Sequence, residues 1–368
     1  MANYPQIDNC VGVWTLEEVN DAVMGGYWRE AGAKGIFGGG YHDSPARSVN
    51  IIDYINISST GNAVDFGDLT VVRKAGMAFG NHIRGLFGGS YGPVVASIDY
   101  VHFATTGNAA DFGDLSVASS DGAGMANSTR GIFLLGFAPP DADDETLEYI
   151  TIASLGNTTD FGDITVPRST CSQGASSPTR ALIGSGVGET NVIDYVEFAT
   201  IGNATDFGNL SAAKRAVGAT SSSTRAVFGG GMVPAGVNVI EYVTIDSTGD
   251  ATDFGDLTVA RTQLSSTSNS VRGVWGGGRD LSDVIDYVTI ASAGNASDFG
   301  DLSSVAEDSS GGTSNKIRGL FAKGGTPSRD KAIDYITIAS TGNGADFGDR
   351  TVAGTYAAAC SNGNGGLA

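Results

Sequence analysis

Chemistry would first be sought at one four-residue signal. Asp-Phe-Gly-Asp begins at Asp65, Asp111, Asp160, Asp253, Asp298 and Asp346, and recurs as Asp-Phe-Gly-Asn from Asp206. With an Asn a few residues upstream, each copy gathers several oxygens. A calcium cage needs roughly six to eight converging oxygen ligands, more than one copy supplies. The same tripeptide holds magnesium in phosphoryl-transfer enzymes, but beside a Gly-rich loop and a catalytic loop that this chain lacks. The favoured reading is structural. Arg84, Arg130, Arg180, Arg225, Arg272 and Arg318 also recur once per copy, so the repeated acids are expected to cap turns or to form structural pairs with these arginines.

Other chemistry is thin. His42, His82 and His102 are too few and too scattered for a histidine metal site. The acid-rich run Asp141–Glu145 has no evident His or Cys partner. Cys10, Cys171 and Cys360 do not make a disulfide framework, and the last two fall where other copies place small strand residues. The expectation is a protein that is not an enzyme and uses no cofactor and no metal.

The elements that carry these residues repeat. An Ile-Asp-Tyr signal begins at Ile52, Ile98, Ile193, Ile285 and Ile333, with variants at Leu147 and Ile240, and Asp-Phe-Gly follows 13 residues later in all seven copies. The overall period is looser, from 45 to 49 residues. A rigid core spacing inside a loose period marks one hairpin within a larger repeating unit. Each unit reads as four strands: Arg-Gly-Leu/Ile-Phe-Gly-Gly, then the β-branched Ile-Asp-Tyr strand, then, after a Gly-Asn turn, Asp-Phe-Gly-Asp, then a small polar strand such as Gly218–Ser223. Four short antiparallel strands per unit is the grammar of a propeller blade. The first unit lacks a small polar strand ahead of Gly35, and one is left over at Thr355–Asn364. The expected fold is therefore all-β: a seven-bladed β-propeller over 32–368, closed by the C-terminal strand in the first blade.

Residues 1–31 stand outside the repeat. Thr15 and Glu18 have capping-box spacing, and Leu16, Val19 and Val23 share a helical face between Trp14 and Trp28. This predicts a short amphipathic helix, too short to stand alone and suited to docking through those five residues.

The Gly-Gly doublet after an aromatic strand end, the downstream Tyr, and an aromatic about 12 residues on (Phe66, Phe112, Phe161, Phe207, Phe254, Phe299, Phe347) resemble the kelch group of β-propellers, with Phe where that group usually carries Trp. Together with the Gly12-Val-Trp-Thr-Leu-Glu-Glu-Val19 lead-in, the wording is similar to virion structural proteins of tailed bacteriophages, of tail-fibre or receptor-binding type. That resemblance implies a tail or fibre location more than a head one, partners among other virion proteins, and a multi-copy assembly.

The net charge of −19 argues against a nucleic-acid partner, although half of the 40 acidic residues belong to the repeated signals. No run of apolar residues is long enough to span a membrane. Length variation concentrates in one loop per unit, after the glycine run, and these loops differ in chemistry. Strand alternation puts them on the same face as the connection leaving Asp-Phe-Gly-Asp, which carries Arg73, Lys74, Arg168, Lys214, Arg215 and Arg261. Variable loops on a constant scaffold are where recognition concentrates. The candidate ligand-binding residues are Tyr41, His42, Tyr91, Phe137, Asp141, Asp143, Met232, Arg279 and Arg329. The expected function is attachment to a host-surface glycan or protein. The alternatives are a purely structural scaffold or head-decoration protein and a sugar-acting enzyme.

Overall fold

Alternating apolar and small residues drive this chain into short strands, and its glycines and asparagines turn them back on themselves. The computed structural model describes residues 33–363 except 44–45, 140–141, 170–173, 188–189, 280–281, 307–310 and 326–328. Within these residues the protein is all strand, turn and bend, without a helix. The helix expected near 15–24 and the docking residues Trp14, Leu16, Val19, Val23 and Trp28 lie outside the described residues.

Seven antiparallel four-stranded sheets form a seven-bladed β-propeller. The second blade is typical: inner strand Met77–Gly80, second strand Arg84–Gly88, third strand Val95–His102, outer strand Ala110–Ser119, paired in that order. The second strand is the most buried, with four of its five residues out of water in every blade.

The first blade is completed from the other end of the chain. Ala358–Ser361 pairs with Lys34–Gly38, Cys360 opposite Ile36. Asn362 Oδ1 accepts the Lys34 N–H at 2.8 Å, as Asn81 Oδ1 accepts the Arg84 N–H at 2.9 Å within the second blade. The closing turn thus reuses the side-chain chemistry of the internal ones.

Apolar cores lie between blades rather than within them. At the first seam Ile36, Ile52, Phe66 and Leu69 meet Phe87, Val101 and Phe103 of the second blade, with Cys360 among them. Burial pushes the Cys360 thiol up to about 12. Each such side chain taken from water contributes about 1.5–3 kcal/mol. Within each blade the Tyr of the third strand meets the Phe of the outer strand edge-on, with ring centroids 5.6–5.8 Å apart.

Two polar clasps cross every seam, and they account for the repeated signals. In the first, the Gly-Asn turn of one blade docks on Asp-Phe-Gly-Asp of the blade before it. Gly107 N–H donates to Phe66 O at 2.7 Å, Ala109 N–H to Asp68 O at 2.8 Å, and Asp68 N–H to Asn108 Oδ1 at 3.1 Å. The same three bonds close the ring from the seventh blade to the first: Gly61 to Phe347, Ala63 to Asp349, and Asp349 to Asn62. Gly67 must be glycine here. It has a φ of +142°, and a Cβ would stand 2.5 Å from the Gly107 backbone.

In the second clasp the acid of Ile-Asp-Tyr reaches back to the preceding blade. Asp99 accepts Thr70 N–H at 3.0 Å and Thr70 Oγ1–H at 2.5 Å, and its carboxylate meets the Arg73 guanidinium at 2.7 Å. Arg168–Asp194, Arg261–Asp286 and Lys214–Glu241 repeat the ion pair at other seams. At the closing seam Thr351 caps Asp53; at the seam before it Ser303 caps Asp334, which Lys323 reaches from within the seventh blade.

The expected pairing of Arg84, Arg130, Arg180, Arg225, Arg272 and Arg318 with Asp65, Asp111, Asp160, Asp206, Asp253, Asp298 and Asp346 is therefore corrected. Those arginines lie 4.4–4.8 Å over the Tyr ring of their own blade. Each donates to a backbone carbonyl of the next blade, as Arg84 does to Ile152 O at 2.6 Å; Arg318 bridges from the seventh blade to Ile57 O of the first at 3.1 Å. The seven aspartates are exposed, and six of them cap the N–H two residues on, as Asp65 does for Gly67 at 2.9 Å. The physical reason is desolvation: a guanidinium flanked by a ring and a carbonyl is already provided for, and an exposed acid gains little from pairing.

The inner strands are small because seven of them converge on one axis. Serine hydroxyls stitch them together: Ser221 Oγ to Ser176 O, Ser268 to Ser221, Ser314 to Ser268, and Ser361 to Ser314, at 3.0–3.2 Å. The row is interrupted at Gly80 and Ala126, the equivalent positions of the second and third blades.

Candidate functional site

Spending the repeat on seams leaves the variable loops as the individual part of the molecule. Among the described residues, six loops begin by pairing their backbone with the connection leaving the preceding blade. Tyr41 bridges Thr355, Phe137 bridges Ser120, Val187 bridges Ser169 and Met232 bridges Arg215. Tyr91 N–H donates to Lys74 O at 2.9 Å, and Arg279 N–H to Thr262 O at 2.8 Å. The loops and these connections do share one face, with the Gly-Asn turns on the other.

The cations expected on that face are mostly not there. Arg73, Arg168, Lys214 and Arg261 are buried in the seams. Burial draws Arg73 and Arg261 below the usual arginine range, against the opposing pull of Asp99 and Asp286. Lys74 and Arg215, one residue further along, remain at the face. Arg215 lies 3.9 Å from the Met232 sulfur.

Among the described residues, Lys74 organises a cluster that gathers several loops. Its Nζ lies 4.3 Å from the centroid of the Tyr41 ring and 5.0 Å from that of Tyr91. The Arg329 guanidinium lies 4.6 Å from the Tyr41 ring, and its Nη1 donates to Tyr41 O at 3.4 Å. Hydrogen bonds of the backbone hold the frame, Tyr41 N–H to Thr355 O at 2.8 Å and Lys74 N–H to the Ser90 side-chain Oγ at 3.1 Å. Ser48 Oγ–H donates to Gly92 O. Tyr91 is 53% exposed and Tyr356, at the adjoining connection, 38%. Asp121 lies near Lys74; burial raises its carboxyl above the usual range, with Ser120 Oγ–H at 2.8 Å and Lys74 opposing.

Of the candidate residues, then, Tyr41, Tyr91 and Arg329 come together where the loops of the seventh, first and second blades meet, and His42 follows Tyr41 on the same short strand. Phe137 and Asp143 face each other across a separate two-stranded ribbon on the third blade. Met232 and Arg279 stand apart on the fifth and sixth, and Asp141 lies outside the described residues. Sequence reasoning does not single out Lys74, Asp121 and Tyr356 as binding residues. Only Tyr356 carries a signal: an aromatic where the equivalent positions hold Ala75, Asp121, Ala216 and Gln263. All five have a positive φ of 49–56°, and Ala75 N–H donates to Tyr356 O, Asp121 N–H to Ala75 O and Gln263 N–H to Ala216 O around the axis.

On the opposite face a cavity of about 110 Å³ is lined by Phe66, Tyr100, His102, Thr105 and Asn108 among others. It sits against the first clasp, a feature repeated at every seam, and so has less claim to be a specific site. Among the described residues there is no group of three or more His, Cys, Asp or Glu that could hold a metal ion, and no helix long and apolar enough to cross a membrane.

No protein-family model matches the sequence, and a search of curated proteins finds no match. The fold and the loop-face cluster are therefore the basis for a functional reading.

Proposed function

We propose that this protein is a non-enzymatic virion component of a tailed bacteriophage, carried on the tail or fibre apparatus, which contacts a host-surface ligand through its variable loop face. Residues 1–31 would dock it to neighbouring virion proteins. The observation that carries the recognition half is the division of labour in the blades. The repeated residues are consumed by seams, while Tyr41, Tyr91 and Arg329 converge from three loops that do not repeat and meet Lys74 of the adjoining connection. An aromatic surface beside cations suits a saccharide, whose C–H faces stack on rings and whose hydroxyls take charged hydrogen bonds. The kelch-like wording of the repeats and the Gly12–Val19 lead-in support the virion half by resemblance alone.

The test has two arms. The full chain is applied to a glycan array and to host cells, wild type beside Tyr91→Ala. Glycan or cell binding that the variant loses supports the reading, and absence of binding favours a structural scaffold or head-decoration role. Deletion of 1–31 is expected to abolish incorporation into particles, and incorporation that survives removes the docking role.

A further inference from the structure

We infer that the ligand of the Tyr41–Lys74–Tyr91 cluster is an acidic saccharide, one bearing a carboxylate, rather than a neutral one. This rests on the reading of the loop face as a glycan-contacting surface and goes further by naming the ligand's charge.

The argument starts from the lysine. The Lys74 ammonium lies over two tyrosine rings, at 4.3 and 5.0 Å; the Asp121 carboxylate is close enough to act on it, but among the described residues no acceptor oxygen stands within hydrogen-bonding distance. Four other cations leaving the outer strands, Arg73, Arg168, Lys214 and Arg261, each reach a carboxylate and are buried, and Arg215 lies against the Met232 sulfur. Lys74 is half-buried, so its ammonium is partly stripped of water while its three donors stay open to an incoming acceptor. Aromatic faces attract a cation but do not take its N–H bonds as an oxygen anion does. On a chain of net charge −19 the Lys74 ammonium stands as a local cationic spot. A repelling overall field and a local cationic spot select an anion that also makes short-range contacts.

Those contacts are supplied by Tyr91. Its ring is more than half exposed, its backbone is tied to Lys74 O, and Lys74 lies over it. A sugar stacked on Tyr91 places a ring carboxylate within reach of the ammonium. Asp121, with its carboxyl raised by burial and held by Ser120, offers an oxygen to a sugar hydroxyl near the lysine. A carboxylate fits a single ammonium between tyrosines, whereas bidentate recognition of a phosphate favours the planar fork of arginine.

The test is direct titration of the full chain with two probes of equal length, a uronate oligosaccharide and its neutral hexose counterpart, at low and high salt. Wild type is expected to prefer the uronate by roughly tenfold or more, the range of a charged hydrogen bond, and to lose that preference as salt rises. Lys74→Met, which keeps the apolar stem, is expected to bind the two probes equally. Tyr91→Ala is expected to weaken both. Unchanged melting temperatures identify variants whose folds are intact, and Lys74→Gln serves if Lys74→Met is destabilised. Equal binding of both probes by wild type, or a uronate preference that survives loss of the Lys74 charge, overturns the inference while leaving glycan recognition standing. Failure to bind any saccharide overturns both.

Discussion

The Arg73 guanidinium and the Asp99 carboxylate meet at 2.7 Å across the seam of the first two blades, both side chains almost wholly out of water. Arg73 also donates to Phe87 O at 3.0 Å and to Ser97 O at 3.1 Å, so one side chain ties an outer strand to two strands of the next blade. Removing one partner leaves the other buried and uncompensated. Arg73→Ala is expected to cost about 3–5 kcal/mol, read as a fall in the denaturation midpoint. The following seam makes the contrast: its outer strand carries Ser119 at this position, and Glu148 is instead met by Ser116 N–H and Thr158 Oγ1–H. Ser119→Ala is expected to cost well under about 1 kcal/mol. Equal losses for the two variants would show that the ion pair does not hold the seam.

The first clasp makes a steric prediction. Gly67→Ala would drive a Cβ to 2.5 Å from the Gly107 backbone, whereas a Cβ at Gly61, with a similar φ of +153°, meets nothing within 4 Å. Both substitutions carry backbone strain, but only Gly67→Ala must also force neighbouring blades away from each other. The expected costs are about 3 kcal/mol or more at Gly67 and about 1–2 kcal/mol at Gly61. Thermal unfolding of the two variants side by side measures the difference.

Ser185 stands at a φ of +63° where the equivalent residues Gly39, Gly89, Gly230 and Gly277 have φ of 65–70°. Its buried Oγ has no hydrogen-bond partner among the described residues. Ser185→Gly is expected to relieve the left-handed strain and stabilise the protein by about 1 kcal/mol, a rise of a few degrees in melting temperature. A fall would mean that the hydroxyl does more in the loop than its surroundings indicate.

Burial raises the Asp194 carboxyl above its ordinary value of 3.8, outweighing Thr165 and Arg168, which pull it down. An acid whose folded-state value is raised binds its proton more readily in the folded chain. Its contribution to stability is therefore fully present below 3.8 and is lost as pH rises through the raised value. Compared with Asp194→Asn, whose amide does not titrate, wild type should gain relative stability as pH falls from neutral, and the gain should level off below 3.8. Paired denaturation curves between pH 7 and 3.5 check the sign. A relative loss on acidification would mean that Arg168 dominates over burial.

Much of the fold can be read from the sequence, because the signals repeat. Seven copies of Asp-Phe-Gly-Asp(Asn) at a fixed distance from Ile-Asp-Tyr define the blades, and the unmatched strand near Cys360 defines the closure. What cannot be read is which blade a side chain serves. Arg84 and Asp65 recur with one period, as do Arg73 and Asp99, and spacing alone cannot tell a pair from two strangers. In a propeller the decisive contacts cross to the next copy, so Asp99 answers to Arg73, and Arg84 to a carbonyl 68 residues further along, at Ile152. Burial also escapes the pattern. Arg73 and Lys74 are adjacent letters, but strand alternation sends one into the seam and leaves the other between Tyr41 and Tyr91. The site is the least legible region, because Tyr41, Lys74, Tyr91 and Arg329 are joined only by the curvature that brings the seventh blade beside the first.

The first clasp is directional. Every blade offers a Gly-Asn (in the fifth, Gly-Asp) turn to one neighbour and an Asp-Phe-Gly-Asp (in the fourth, Asp-Phe-Gly-Asn) edge to the other, so the contact is heterologous, head to tail, and has no self-complementary form. Such an interface ends only by returning to its start. The seam between Asn62 and Asp349 is where this chain does so. A chain shortened by one blade would keep both halves of the interface but could not bring them together without bending, and two such chains could each satisfy the other. Ring size in this protein is thus a matter of curvature per blade, and the penalty for a wrong blade count is polymerisation rather than unfolding.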